Sequence, residues 1–321
     1  MNVAFAGTPE FAVPTLEAIL ASRHRVVLVV TQPDRPVGRS SRPAPPPVKQ
    51  AALEHGVPVI QPESINRREA LVSLEEAAPD VLLVVAYGKI LTRRVIDFAE
   101  HGTINIHASL LPKYRGAAPI SRAIFHGERE TGVTLQRVAL GVDTGPVLMQ
   151  RSLEIGAEED AGQLNQRLAA LAAEIIVPGL DAIEEHRVTD TPQDESQVTY
   201  ASKLAKSDGL IPWERDAAAV HNLLRAMTPW PGAFTFHHRA GGEPRSGGRR
   251  VIILSARIAE CPPGAAAPGT ILSAGSEPRV ACGRGCVRLL QVKPEGSRPM
   301  EAAAWVRGHS IKPGDQFRGE T

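Results

Sequence analysis

VLLVVAYG at residues 81–88 and TINIHASLLPKYRGAAP at residues 103–119 decide how this chain reads. The first is a near-continuous apolar run of strand length, as expected for a strand covered on both faces of a parallel sheet. The second opens with the alternating, β-branched run TINIH and then cannot continue as a strand, because Pro112, Gly116 and Pro119 interrupt it. Asn105 and His107 stand two apart on that short strand, so their side chains leave from the same face.

Working outward, residues 2–6 form an apolar strand. The turn GTPEF then offers Thr8 as N-cap and Pro9 as first helical residue of a helix running to about Ala21. VVLVVTQ (26–32) is a second buried strand, and a Pro/Arg-rich loop over 33–47 leads to a helix over 48–55 that Gly56 ends. A short strand at 57–60 and a helix at 64–77 follow. Strands alternating with helices at this spacing predict an α/β fold, a doubly wound and mostly parallel sheet with its ligand site at the carboxyl ends of the strands. Two further strands are expected at 131–139 and 147–154. A helix over 161–186, apolar at Leu164, Leu168, Leu171, Ile175, Ile176, Leu180 and Ile183, closes this part on one face.

Residues 188–207 lose the apolar pattern. Beyond them come a helix at 217–227, the rigid turn MTPWPGAF and short β-rich runs broken by Gly/Pro turns, the pattern of a small OB-like β-barrel. The organisation predicted is a catalytic α/β domain over 1–188, a linker over 189–207 and a barrel domain over 208–321.

Composition narrows the class. With 321 residues, 43% hydrophobic and 22% charged, the chain is long enough for two ordinary domains and reads as globular. No run approaches the ~20 apolar residues of a membrane span, and no basic, apolar leader precedes the first strand, so a cytoplasmic protein without membrane partners is expected. Three cysteines, Cys261, Cys282 and Cys286, are too few for a disulfide framework, and no fourth ligand completes a zinc set. Residues 208–321 carry 15 Lys+Arg against 10 Asp+Glu, net +5, and the rest of the chain is net −4. That is a modest signal for a polyanionic partner, compatible also with an ordinary surface. GTP at 7–9 is not the glycine fingerprint of a dinucleotide site, and Asp34 lies too deep in a proline-rich loop to serve a ribose.

An amide and an imidazole on one strand face, with Asp143 arriving in GVDTG at 141–145, suit oxyanion stabilisation and proton movement during acyl transfer. The competing reading makes His107 a structural hydrogen-bonder. An asparagine inside a strand is unusual, because a buried amide must find partners. Residue types alone leave the two readings about even.

INIHASLLPKYRGAAPI (104–120), GVDTG, FAGTPEFAVP (5–14), TQPDRPVGR (31–39) and MTPWPG (227–232) closely resemble the methionyl-tRNA formyltransferases, over essentially the whole chain. The Asn-x-His-x-Ser-Leu-Leu-Pro core with a distal Asp is shared by the wider formyl-tetrahydrofolate family. The loop TQPDRPVGR and the second domain point to the tRNA enzymes. Ala108 stands where the family commonly has Gly, and Lys113-Tyr114 where a basic-Trp pair is frequent; both imply altered loop packing.

The resemblance implies Asn105, His107 and Asp143 as the catalytic trio. It implies Ser109, Leu110, Leu111 and Pro112 as the folate-contacting motif, with backbone around Tyr87, Gly88 and Val142 receiving the pterin. Arg39 matches a residue used on the tRNA acceptor end, and Arg42 lies in the same loop. The co-substrate implied is 10-formyltetrahydrofolate, with no metal, and the acceptor is initiator methionyl-tRNA; a monomer is expected. The amine attacks the formyl carbon, so no protein nucleophile is required. Asn105 donates to the oxyanion, and Asp143 orients His107 and favours its cationic form. The catalytic motif alone equally allows a small amine acceptor, such as an amino sugar nucleotide or a glycinamide ribonucleotide.

Overall fold

The computed structural model describes residues 1–36, 43–241, 248–261, 264 and 266–319. They form two compact units. The first comprises Met1–Pro119, Glu130–Glu154 and Asn165–Ser202, and the second Ile120–Arg129, Ile155–Leu164 and Lys203–Thr321.

The first unit is built on β1 (Asn2–Gly7), β2 (Arg25–Val30), β3 (Val59–Ile60), β4 (Val81–Val85), β5 (Thr103–His107), β7 (Glu130–Arg137) and β8 (Val147–Glu154). Their order across the sheet is β8-β7-β5-β4-β1-β2-β3. From β5 to β3 every pairing is parallel, and β7 and β8 extend the sheet antiparallel. Strand order reverses between β1 and β4, the place where doubly wound sheets open a crevice at their carboxyl ends. All five residues of β4 are buried, as a strand covered on both faces requires. Helices α1 (Val13–Leu20), α2 (Pro47–Glu54), α3 (Arg68–Ala77) and α4 (Arg93–Ile96) connect the strands. The long α6 (Ala161–Glu184) buries Leu168, Ile175, Ile176, Leu180 and Ile183 in one stripe, at about 2 kcal/mol of transfer free energy each. Among the described residues no helix is long and apolar enough to cross a membrane.

The first helix departs from expectation. Thr8 does not cap it: a 3₁₀ turn over Glu10–Ala12 intervenes, α1 starts at Val13, and Pro14 occupies its first turn. The Thr8 hydroxyl accepts instead from the Gln32 backbone N–H (3.4 Å) and lies 3.5 Å from the Thr31 hydroxyl. It ties the carboxyl ends of β1 and β2 together, a long-range bond that outcompetes a local cap.

The second unit holds α7 (Ala217–Ala226) and an antiparallel sheet of β10 (Ala233–His238), β11 (Arg249–Ala259), β12 (Ile271–Ser273), β13 (Arg279–Ala281), β14 (Cys286–Pro294), β15 (Met300–Glu301) and β16 (Gln316–Arg318). Its order is β12-β13-β14-β11-β10-β16, with β15 beside β14. The two ends of that order meet. Phe317 N–H donates to Gly269 O and Ile271 N–H to Asp315 O, both at 2.8 Å, so the sheet curls into a nearly closed barrel. Trp213 and Trp305 stack on either side of Phe317 with ring centroids 5.5 and 5.9 Å away. Two helices escaped sequence reading here: α5 (Pro119–Phe125), which a proline starts, and α8 (Ala302–His309), whose Ala-rich EAAAWVRGH is a good helix former amid strand signals.

Candidate active site

The site lies on one face of β5 and β7 at the carboxyl end of β5. Asn105 is opposite Gln136 and His107 opposite Thr134 across the antiparallel pair. Four polar side chains, Asn105, His107, Thr134 and Gln136, therefore form a block on one face of the β5–β7 pair. Thr134 and Gln136 alternate in GVTLQR, and that period-2 polar pattern is the signal the sequence reading missed.

His107 is buried. Its Nε2 lies 2.9 Å from the carbonyl oxygen of Tyr114, an acceptor only, so Nε2 carries a proton and donates. The ring's Nδ1 faces Asp143 Oδ2 at 3.5 Å, too long for a strong hydrogen bond. The pair is aimed but not locked.

Asp143 is held from three sides. Gly116 N–H donates to Oδ2 (2.8 Å), Gln136 Nε2 to Oδ1 (3.0 Å), and Gln193 Nε2 to the Asp143 carbonyl (2.8 Å). Its backbone has φ +50°, a left-handed conformation that Asp tolerates better than most residues and that turns its carboxylate toward His107. Asn105 differs: it is half-buried, and among the described residues its side chain has no hydrogen-bond partner. An amide donor is thus left available beside the His–Asp pair.

A further layer was invisible from sequence. β6 (Arg115–Gly116) pairs in parallel with β9 (Tyr200–Ala201), which follows residues 190–199 in a stretch without apolar pattern. Gly116 has φ +122°, and a Cβ there would sit 2.7 Å from Ala201 O. Only glycine lets this strand approach closely enough to present its N–H to Asp143. Arg115, 1% exposed, donates from Nε and Nη2 to Gln193 Oε1 (3.0 and 2.8 Å) and from Nη1 and Nη2 to Glu195 (3.2 and 2.7 Å). The hydrogen bond between them pushes the guanidinium further up and the Glu195 carboxyl below its ordinary value. Gln193 is thus clamped between Arg115 and Asp143.

The SLLP loop is equally fixed. Ser109, fully buried, donates its hydroxyl to Lys113 O (2.6 Å), while its carbonyl accepts from Thr134 (2.6 Å). Gln150 Nε2 donates to Leu111 O (2.8 Å) and to Thr134 Oγ1 (2.9 Å). The Leu111–Pro112 peptide is cis, and Leu111 is buried while Leu110 is half-buried. Ser109 therefore spends its side chain inside the loop, and Leu110 has the freer one.

Tyr87 is buried, its carbonyl accepting from Gln32 Nε2 (2.7 Å), whereas Gly88 and Val142 are exposed. Gly88 follows the carboxyl end of β4, next to β5, and Val142 precedes Asp143. In the loop after β2, Asp34 accepts from Lys49 (2.9 Å) and Gln61 (2.7 Å). Arg39 and Arg42 lie outside the described residues, between Arg35–Pro36 and Pro43–Ala44, which pair antiparallel.

The family model described as formyl transferase matches residues 1–180, and that described as formyl transferase, C-terminal domain, matches residues 203–310. The methionyl-tRNA formyltransferase of Methylococcus capsulatus is 47% identical over 314 residues, covering 97% of this chain and 98% of its own. That of Heliobacterium modesticaldum is 46% identical over 325 residues, covering 99% and 100%. Among solved structures, an N-formyltransferase from Helicobacter canadensis, in complex with folinic acid and dTDP-3-aminofucose, superposes with a TM-score of 0.64. It has 18% identity and covers 89% of this chain and 98% of its own.

Proposed function

Because the chain belongs to the formyl transferase family in both its parts, we propose that it transfers the formyl group of 10-formyltetrahydrofolate to the α-amine of initiator methionyl-tRNA. The relatives at 46–47% identity, matched over nearly their whole length, are named methionyl-tRNA formyltransferases. The observation that carries the chemistry is the convergence of Asn105, His107 and Asp143 at the end of β5, with the amide left unpartnered.

The methionyl amine attacks the formyl carbon, and the carbonyl oxygen becomes an oxyanion in a tetrahedral adduct. Asn105 donates its free N–H there; such donors are worth about 3 kcal/mol of transition-state stabilisation. As the adduct collapses, the C–N10 bond breaks and the amine's proton must reach N10. The loosely coupled Nδ1–Asp143 gap is where this protein can take up and return that proton, and the bracing of Asp143 keeps its carboxylate in place meanwhile. Leu110, the SLLP backbone and the exposed Gly88 and Val142 are the surfaces offered to the folate.

On the tRNA side, Arg39 and Arg42 are assigned to the acceptor end as planar phosphate donors. A cavity of about 750 Å³ on the barrel supports a polyanion contact. Arg239, Arg249, Arg250, Arg318, His238 and His309 line it, and Glu295 is its sole acid among the described lining residues. The protein is read as a cytoplasmic monomer that needs no metal.

Incubating the purified protein with labelled 10-formyltetrahydrofolate and charged initiator tRNA should label the tRNA, with an affinity that falls steeply as salt rises. Transfer to an amino sugar nucleotide or glycinamide ribonucleotide, with none to the tRNA, would replace this reading by the small-amine one.

A further inference from the structure

Tyr200 is 71% exposed, although a tyrosine stabilises a fold chiefly through the large area it buries, and its hydroxyl is its one tie to the site, through Arg115. Its backbone is nonetheless among the better-fixed parts of the site. Arg115 N–H donates to Thr199 O (2.9 Å), Tyr114 N–H to Thr199 Oγ1 (2.8 Å) and Ala117 N–H to Ala201 O (2.9 Å). In the parallel pair Tyr200 is opposite Arg115, and its hydroxyl lies in the field of the Arg115 guanidinium. The next residue, Gly116, holds Asp143 at 2.8 Å. One strand spacing of about 4.8 Å, one residue along the strand and one hydrogen bond therefore separate the base of this exposed side chain from the carboxylate of the trio.

For an acceptor that reaches His107 and Asp143 from the side of this strand, the atoms next to its amine lie over Tyr200. For an aminoacyl ester those atoms are the ester, the terminal ribose and the base it carries. A ring with an open face on a rigid strand is suited to stacking, which every base permits and which asks for no hydrogen-bond code. Arg115 is engaged by Gln193, Glu195 and the Tyr200 hydroxyl, so what Tyr200 has left to offer a ligand is its π-face rather than charge.

We infer that Tyr200 is the platform on which the terminal base of the aminoacyl acceptor stacks, and so a specificity-determining residue of the site. This rests on the proposed function, since it presumes a nucleoside beyond the reacting amine.

The experiment is steady-state formylation of charged initiator tRNA by the full-length wild type, Tyr200→Ala and Tyr200→Phe, varying tRNA and formyl donor separately. Tyr200→Ala should raise the KM for tRNA about tenfold, with kcat at saturating tRNA and the KM for folate unchanged. Tyr200→Phe, which keeps the ring, should restore the tRNA KM to within about twofold of wild type. An unchanged KM in Tyr200→Ala overturns the proposal. So does a Phe variant as impaired as the Ala variant, which would make the hydroxyl's neighbourhood with Arg115 the operative feature. A rise in the folate KM would assign the ring to the pterin instead. Wild-type enzyme inactive on charged tRNA would remove the functional reading itself, an outcome visible before any variant is compared.

Discussion

In each unit a histidine facing an aspartate anchors a polar cluster, and two of these pairs, His237–Asp315 and His107–Asp143, are built to opposite ends. In the barrel, His237 Nε2 and Asp315 Oδ2 are 3.0 Å apart, both side chains buried. The His237 ring meets Trp305 and Phe317 edge-on, with centroids 5.7 and 6.2 Å away. Asp315 also accepts from Ala240 N–H (2.9 Å) and Lys312 N–H (3.1 Å). Burial pushes its carboxyl up, but those two N–H groups and His237 outweigh it and hold the group below the ordinary value of 3.8. In the α/β unit, His107 and Asp143 are 3.5 Å apart and Asp143 remains partly open, with an unpartnered Asn105 beside them. Identical residue types form a clamp where both oxygens of the aspartate are taken up by fixed partners, the imidazole among them. They form a reaction centre where a donor and a gap are left over.

The comparison can be broken most directly at the open pair. His107→Asn and Asn105→Ala should each lower kcat by about 100-fold, losing proton handling and oxyanion donation respectively. Asn105→Ala should leave the urea unfolding midpoint nearly unchanged, and His107→Asn should lower stability by no more than about 1–3 kcal/mol, the cost of the Tyr114 carbonyl it leaves unpaired. A large stability loss with normal turnover would show that the α/β pair is a clamp as well.

At the sealed pair the pattern should invert. Asp315→Ala leaves two backbone N–H groups and a ring nitrogen without their acceptor, and should cost about 3 kcal/mol of stability with kcat intact. The sign of its pH dependence follows from the depressed carboxyl. Its contribution is fully present above the ordinary carboxyl range and drains away as pH falls through the folded-state value. Unfolding free energies measured from pH 6 downward should therefore fall less steeply in Asp315→Asn than in wild type. Equal slopes would mean that Asp315 is not what acid attacks.

The smallest effect sharpens rather than breaks the contrast. Gln193→Ala removes one of three holds on Asp143 and should lower kcat about fivefold, on the scale of one lost neutral hydrogen bond. A loss as deep as that of Asp143→Asn would place Gln193 in the chemistry itself.

What was legible in the chain follows the range of the interactions. Periodicity exposed β4 and β5, and strand geometry put Asn105 and His107 on one face; both depend on neighbours a few residues apart. Asp143 was found through its motif. The brace was not found, because Gln193 and Glu195 sit in a polar stretch whose meaning depends on Arg115, far away in sequence. Thr8 misled for the related reason that a good N-cap residue was taken up by the end of β2. His237 and Asp315 carry no local signal at all: one lies near the end of β10 and the other just before β16.

The closure of the barrel bears on the order in which this protein can mature. The strand that joins the two ends of the sheet is Gln316–Arg318, and its partner around Gly269–Ile271 is made much earlier. Phe317, the ring between the two stacked tryptophans, travels on that same strand. On the ribosome the α/β sheet has all its strands once residue 154 has emerged, whereas the barrel lacks both its seam and its central ring until residue 318 has cleared the exit tunnel. One half of the protein has its sheet complete within its first 154 residues, and the other needs the chain as far as residue 318.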